Sequence, residues 1–207
     1  MKSGTTFVLG ALAMLVAGNP NLALARNPNP GVMPINSYAF GKSYGAWAQE
    51  FADWTFQFSL ADYPLFQLSG EVDCGYAQSG KVWFLYGALE DGVERFCTIP
   101  SGKSLLVSVN SVTSFAPEFG DTEDDLREDA SKDLEGVRWL EMSIDGVPLK
   151  GLYSYRASSP EGGFVLHIQK DSILNELGLD DGVLPAVIRG FHARVLAEEV
   201  VLLGGGQ

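Results

Sequence analysis

The sequence predicts a mainly β protein, built as a single two-sheet β-sandwich of the jelly-roll kind. About eight short runs of strand-forming residues, separated by Gly, Pro and Asp-Gly turn signals, account for most of the chain. Only two stretches have helical periodicity, an aromatic one near the N-terminus and an acidic one inserted midway. An immunoglobulin-like sandwich is the alternative, although its cysteine spacing and central tryptophan are not matched.

The N-terminal residues 1–25 have the pattern of a secretory signal peptide. Lys2 supplies the positive start, residues 7–18 form an apolar run, and Ala23-Leu24-Ala25 offers the small-x-small cleavage site. The apolar run is too short for the roughly twenty residues that span a bilayer, so an uncleaved anchor is the weaker alternative. Residues 26–36, rich in proline, predict an extended, mobile leader, followed by one domain over 37–203 and a flexible tail over 204–207.

The acidic balance of the chain limits its partners. The formal net charge is −12 at pH 7, and loss of Lys2 with the signal makes it one unit more negative. Such a surface repels nucleic acid phosphates and anionic lipid headgroups. Cationic ligands, divalent ions and neutral glycans stay open as partners. No later segment is long and apolar enough to cross a membrane.

The two cysteines, Cys74 and Cys97, both follow the predicted signal peptide. An even number of cysteines in an oxidising compartment favours a disulfide. Two buried thiols or a metal pair are the alternatives, but no nearby pair of histidines completes a metal site. We therefore predict the Cys74–Cys97 disulfide.

The first helix is predicted within residues 41–60, with Ser43 as its N-cap. Its aromatic residues recur at steps of three and four, which places them on one face: Tyr44, Trp47, Phe51, Trp54 and Phe58. The end of this helix is open, because residues 55–58 are also compatible with an extended chain.

The second helix is predicted between residues 121 and 139. Thr122 and Asp125 have the spacing of a capping box, and several acidic residues occupy the first turn, where the helix dipole favours them. Leu126, Ala130 and Leu134 form a narrow apolar stripe. We expect an exposed helix that packs through this stripe alone.

The remaining elements are predicted as strands with one short helix. Residues 81–88 and 93–99 form a hairpin around Asp91-Gly92 and continue into 104–109 as an antiparallel meander. A second hairpin turns at Asp145-Gly146. The other predicted elements are strands 139–144, 147–155, 164–169, 183–187 and 191–202, with helix as the alternative for the last, and helical turns over 172–177 closed by Gly178.

Three blocks of sequence resemble, in the same order, a group of exported bacterial proteins. They are the paired-tryptophan segment 47–54, the block 74–85 with Gln78-Ser79-Gly80-Lys81-Val82-Trp83-Phe84-Leu85, and the block 95–103 with Arg95-Phe96-Cys97-Thr98-Ile99-Pro100. Residues 144–147 and 155–160 match in outline. The last part departs from the pattern, where only Leu184-Pro185 and Gly190-Phe191-His192 correspond. The resemblance implies export, the cysteine pair and the fold, and no particular activity.

Catalytic, metal and cofactor motifs are not expected. His167 and His192 could act as bases, but the chain has no Gly-x-Ser-x-Gly nucleophile elbow. Gly102-Lys103-Ser104 lacks the earlier glycine of a phosphate-binding loop. The acidic run 121–135 lacks the Asp-x-Asp-x-Asp-Gly loop of a calcium site. The sequence therefore favours a protein that is not an enzyme, with neither a metal ion nor a cofactor.

Aromatic residues are the candidate ligand-binding site. Trp47, Trp54, Trp83 and Tyr86 could form a platform on which sugar rings stack, whereas a core role is the alternative reading of the same spacing. We expect a non-catalytic binding domain of the periplasm or the extracellular space, with a glycan or another envelope protein as partner. The alternatives are a secreted hydrolase of cell-envelope glycan, with Glu71 and Asp73 as acid and base, and a structural envelope component.

Overall fold

The computed structural model describes residues 28–29, 31–63, 66, 69–87, 93–195 and 200–206. The predicted signal peptide and the Asp91-Gly92 turn lie outside the described residues. Within them the protein is mainly β, as predicted. The helices are α1 Tyr44–Thr55, α2 Glu123–Glu135 and α3 Ile173–Glu176, and the strands are β1 Gly70–Glu71, β2 Val82–Leu85, β3 Arg95–Phe96, β4 Ser104–Phe115, β5 Trp139–Ile144, β6 Val147–Pro148, β7 Arg156–Ser158, β8 Phe164–Ile168, β9 Gly182–Val195 and β10 Val200–Gly206.

A five-stranded sheet forms the centre of the fold. Strand β9 is its longest member and pairs antiparallel with β4 on one side. Strands β7 and β8 lie end to end along the other side of β9, and β2 runs parallel to β4 at the far edge. A three-stranded antiparallel sheet has the order β10-β5-β6, and β1 and β3 form a parallel pair.

Helices α1 and α2 cover opposite faces of the central sheet. Successive side chains of a strand point to opposite faces, and on β9 Val187 and Phe191 pack in clusters with α2. The side chain of His192 contacts Phe51 of α1 instead. Because both faces are covered, residues 186–188 and 190–193 of β9 are buried. The arrangement of the sheets as a jelly-roll sandwich stays a prediction.

Both predicted helices are confirmed, together with their N-terminal caps. The Ser43 side chain accepts a hydrogen bond from the amide of Ala46 (3.2 Å). Thr122 and Asp125 form the complete capping box, and the stripe Leu126, Ala130 and Leu134 is buried. Helix α1 ends at Thr55, earlier than the predicted range, but Phe58 still reaches the core.

The predicted antiparallel meander is wrong. Strand β2 pairs parallel to β4, and β3 pairs parallel to β1. The other edge of β2 is occupied by the Gln78 side chain, whose Nε2 donates to the carbonyl of Phe84 (2.8 Å) and whose Oε1 accepts from its amide (3.1 Å). Because this side chain takes the hydrogen bonds of a neighbouring strand, β3 cannot pair there.

The turn of the second predicted hairpin is confirmed, but the strand predicted over 147–155 ends at Pro148, and Leu152–Tyr155 form a 3-10 helix. Ile144 pairs with Val147 across a two-residue turn. Both turn residues, Asp145 and Gly146, have positive φ angles of 50° and 74°, as a tight hairpin of this length requires. The β8 strand and the short helix capped by Ser172 are also confirmed.

The C-terminal strands differ from the prediction. The two strands expected over 183–187 and 191–202 are joined in the single strand β9, which runs through Gly190. A Cβ at this position would lie 2.4 Å from Cβ of Ser111 on β4, so the close approach of the strands requires glycine. The helical alternative is wrong for the described residues of 191–202, which lie in strands. Strand β10 continues over 204–206, where the sequence predicts a tail, and Gly205 pairs there with Leu140.

The described part of the predicted leader is docked rather than mobile. The Asn29 side chain makes two hydrogen bonds with the backbone of Lys150, one to its carbonyl (2.8 Å) and one from its amide (2.7 Å). Val32 is buried in the main core, and the hydroxyl of Tyr44 donates to the carbonyl of Met33. Amide pairing and apolar burial together hold this segment against the domain.

Candidate functional site

The predicted disulfide between Cys74 and Cys97 is present, with the two Cα atoms 5.7 Å apart. It joins the segments that follow β1 and β3. Arg95, next to it in the sequence block, donates to the carbonyl of Gly87 (2.8 Å). Together with the hydrogen bonds of Gln78, these contacts hold the backbone segments around β2 in place. The residues that make them belong to the sequence blocks 74–85 and 95–103.

The three tryptophans of the predicted platform are core residues. Trp47, Trp54 and Trp83 are each only 7–8% exposed. The indole N–H of Trp47 donates to the carbonyl of Ala39, and that of Trp54 to the carbonyl of Tyr76, both at 3.0 Å. Their faces are therefore packed rather than open, and a binding role for them stays a prediction.

Tyr86, the fourth predicted site residue, lies in the same core. Its ring stacks on Phe51 at 5.1 Å and comes within 6.5 Å of Trp54. Its hydroxyl bonds with Tyr63 and Thr55, and desolvation by burial raises the pKa of both tyrosines. The structure thus brings together Trp54, which is buried, and Tyr86, which is partly buried against the same core.

Two exposed aromatic rings lie in or directly before a tight turn that the sequence analysis missed. The amide of Lys42 donates to the carbonyl of Ala39 (3.3 Å), which closes the turn around Phe40 and Gly41. Phe40 has a φ of +53° and is 51% exposed, and Tyr38 is 75% exposed. Gly41, with a φ of +79°, is the one local signal for this turn.

Three lysines surround this turn. The Nζ atom of Lys81 lies 6.0 Å from the centre of the Phe40 ring, that of Lys42 4.6 Å from Trp47, and that of Lys103 5.3 Å from Trp83. Lys103 also donates to the carbonyl of Gly80, and Lys42 pairs with Glu50. We call this surface the lysine–aromatic patch: Tyr38, Phe40, Lys42, Lys81 and Lys103. Trp47 and Trp83 form its floor.

The two histidines occupy different environments. His192 is fully buried, and burial lowers its pKa to about 4, so the ring is neutral near pH 7. Among the described residues neither of its ring nitrogens has a hydrogen-bond partner. His167 is exposed, and Asp53 accepts from its backbone amide (3.0 Å) and contacts its Nδ1 (2.9 Å). Asp53 thereby fixes the edge of β8 against α1.

The carboxylates of the hydrolase alternative, Glu71 and Asp73, are both exposed. Asp73 accepts a hydrogen bond from the amide of Gly75 (2.8 Å) and so shapes the turn at the disulfide. Across the described ranges, no three His, Cys, Asp or Glu side chains are grouped to hold a metal ion. The helices in that part of the chain are all too short or too polar to cross a bilayer.

Comparison of the chain with protein-family models, with curated proteins and with solved structures gives no match.

Proposed function

We propose that the protein is an exported, non-catalytic domain that binds an acidic glycan through the lysine–aromatic patch. The signal-like N-terminus supports export to the periplasm or the extracellular space. The Cys74–Cys97 disulfide supports it too, because such bonds persist in oxidising compartments. The hydrolase and the envelope component stay predictions. The described contacts of Glu71 and Asp73 do not favour the hydrolase.

The observation that carries this proposal is the conformation of Phe40. A bulky residue in the left-handed region costs roughly 1–2 kcal/mol, and such strain persists only where the surroundings impose it. Here two hydrogen bonds to the carbonyl of Ala39, from Lys42 and from the Trp47 indole, fix the turn. The strained turn holds an apolar side chain with about half of its surface in solvent, 51% of Phe40.

The chemistry of the patch fits a sugar that bears a negative charge. An exposed aromatic face stacks on the C–H face of a pyranose ring, and a lysine ammonium pairs with a carboxylate. A flat anionic membrane fits less well, because it would bring the acidic remainder of this chain of net charge −12 close to like charges. A single glycan strand, by contrast, would contact the patch without approaching the acidic remainder of the surface.

The variant Phe40→Gly tests the proposal sharply. Glycine adopts the left-handed conformation without strain, so the turn and the free energy of unfolding are retained while the ring is lost. We expect calorimetry with oligogalacturonate to show binding to the wild type and at least about a tenfold loss in the variant, a loss of about 1.4 kcal/mol. Lys81→Gln should weaken binding and reduce its salt dependence.

Phe119→Ala is the matched control, since it removes another exposed ring, one that packs on Phe115. It should leave the affinity unchanged. Equal affinity of the wild type and Phe40→Gly would contradict the proposal, and so would equal binding of a neutral oligosaccharide of the same length.

A further inference from the structure

A second charged site lies on the other face of the central sheet, between β7, β9 and α2. Arg156 on β7 is paired in register with Phe191 on β9, and Arg189 precedes Phe191 by two positions. Residues two apart on a strand share a face, and diagonal neighbours across an antiparallel pair are about 7–8 Å apart. The two guanidinium groups therefore emerge side by side, on the face that α2 covers.

The surroundings of these arginines do not neutralise them. Within the described part of the chain, neither Arg156 nor Arg189 forms an ion pair, and the Nε atom of each is buried without a hydrogen-bond partner. Desolvation and the charge of Arg189 both lower the pKa of Arg156, and Glu135 only partly opposes this. Since arginine stays protonated in proteins, two like charges are held together here.

A neighbouring arginine on the same face, Arg127, has both an ion pair and hydrogen bonds for its guanidinium group. Arg127 of α2 pairs with Glu123 and also donates to the carbonyls of Ser159 and Pro160. By contrast, Arg189 donates from Nη1 to the hydroxyl of Ser131, and Arg156 lies over the Phe191 ring at 5.8 Å. The half-exposed ring of Tyr153 packs against Phe191 at 5.7 Å and borders the pair.

We infer that Arg156 and Arg189 form a binding site for an oxyanion, a phosphate group above all. Guanidinium forks bind phosphate oxygens in pairs, and a phosphate offers more terminal oxygens than a carboxylate to two adjacent forks. An anion at this position would compensate both positive charges. Tyr153 would contact whatever carries the phosphate. This site shares no residue with the lysine–aromatic patch.

The test uses the whole mature protein with inorganic phosphate as probe and chloride of equal ionic strength as reference. We expect saturable binding of phosphate by calorimetry, weakened at least about tenfold in Arg156→Met and in Arg189→Met, a loss of about 1.4 kcal/mol. Methionine retains an apolar stem over Phe191, so the fold is preserved. Arg138→Gln removes one positive charge from an exposed residue just after α2 and should bind phosphate as the wild type does.

Thermal unfolding gives a second readout that a purely structural role would not produce. In phosphate-free buffer Arg156→Met should melt at a higher temperature than the wild type, because repulsion between like charges is relieved. In phosphate the order should reverse. A lower melting temperature for the variant in both buffers would overturn the inference, as would a phosphate effect equal to that of chloride.

The source of the phosphate follows from a comparison of two probes. Tighter binding of glucose 1-phosphate than of inorganic phosphate would assign the site to a phosphorylated sugar, with Tyr153→Ala removing the difference. Equal affinity would assign it to the free ion. Phe40→Gly should bind either probe normally, so that failure of the glycan proposal leaves this result independent.

Discussion

The two faces of the central sheet are stabilised in different ways. On the α1 face, aromatic rings pack closely around Phe51, which contacts Trp54, Phe84, Tyr86 and His192. On the α2 face, the helix contributes only the narrow stripe of Leu126, Ala130 and Leu134, which packs on Val187 and Phe191 of β9, and polar contacts flank it. Burial scales with apolar area, so the α1 face supplies most of the stability.

The polar contacts of the α2 face give it position rather than stability. Asp129 accepts from the hydroxyl of Ser114 on β4 (2.7 Å), and Glu123 accepts from the amide of Gly162 (3.0 Å). Hydrogen bonds of this kind contribute little net free energy but tolerate little displacement. The difference between the faces shows that the two helices have different roles. Helix α1 closes the core, while α2 positions charged groups over the sheet.

The largest expected effect comes from truncation on the α1 face. Phe51→Ala should lower the free energy of unfolding by about 3–5 kcal/mol, because it leaves a cavity among four aromatic rings. Leu126→Ala, the matched change on the α2 face, should cost about 2–3 kcal/mol, since its cluster is small. Urea unfolding of both variants measures the difference. A larger loss for Leu126→Ala would reverse the comparison.

The pH dependence of stability should also arise from the α1 face. The pKa of buried His192 is lowered to about 4, against its ordinary value of 6.5. The unfolded chain therefore binds a proton that the folded chain excludes, and stability falls as the pH drops from 6.5 towards 4. The loss should reach about 3 kcal/mol.

His192→Leu isolates this contribution, because leucine cannot be protonated. Urea unfolding at a series of pH values should give a shallower dependence for the variant over that window. The carboxylates of Glu123 and Asp125, whose pKa values are lowered by hydrogen bonds to Arg127 and Thr122 respectively, titrate in both proteins and cancel in the difference. Parallel curves would show that another group is responsible.

The local elements of both faces could be predicted from the sequence, whereas their pairing could not. Ser43 and Thr122 mark the helix starts through contacts within three residues, and Asp145-Gly146 defines its own turn. The partner of β2 is decided instead by the side chain of Gln78 and by a disulfide that joins distant segments. No periodicity in the sequence records such contacts.

The candidate sites could not be predicted from the sequence for the same reason. The spacing of Trp47 and Trp54 is identical for a core face and for a binding platform, so only exposure separates the two. Phe40 lies in a turn whose sole local signal is Gly41. Arg156 and Arg189 are far apart in the chain and become neighbours only through the register of β7 on β9.

A smaller effect is expected from the docked leader, which seals the α1 face through Val32. Asn29→Ala should lower the free energy of unfolding by about 2 kcal/mol, because two backbone groups of Lys150 lose their partner. Asn29→Asp keeps the acceptor for the Lys150 amide and loses the donor, so it should fall between alanine and the wild type. Equal stability of all three proteins would show that the leader contributes nothing.

The smallest expected effect concerns the caps of the two helices. Thr122→Ala removes the two hydrogen bonds of the Thr122 hydroxyl, one from the amide and one to the carboxylate of Asp125, and should cost about 1–2 kcal/mol. Ser43→Ala removes a single bond and should cost about 0.5–1 kcal/mol. The exposed helix α2 depends on its cap because its apolar stripe is narrow. Helix α1 is held by its buried rings. Urea unfolding that gives Ser43→Ala the larger loss would mean that tertiary packing does not compensate for a lost cap.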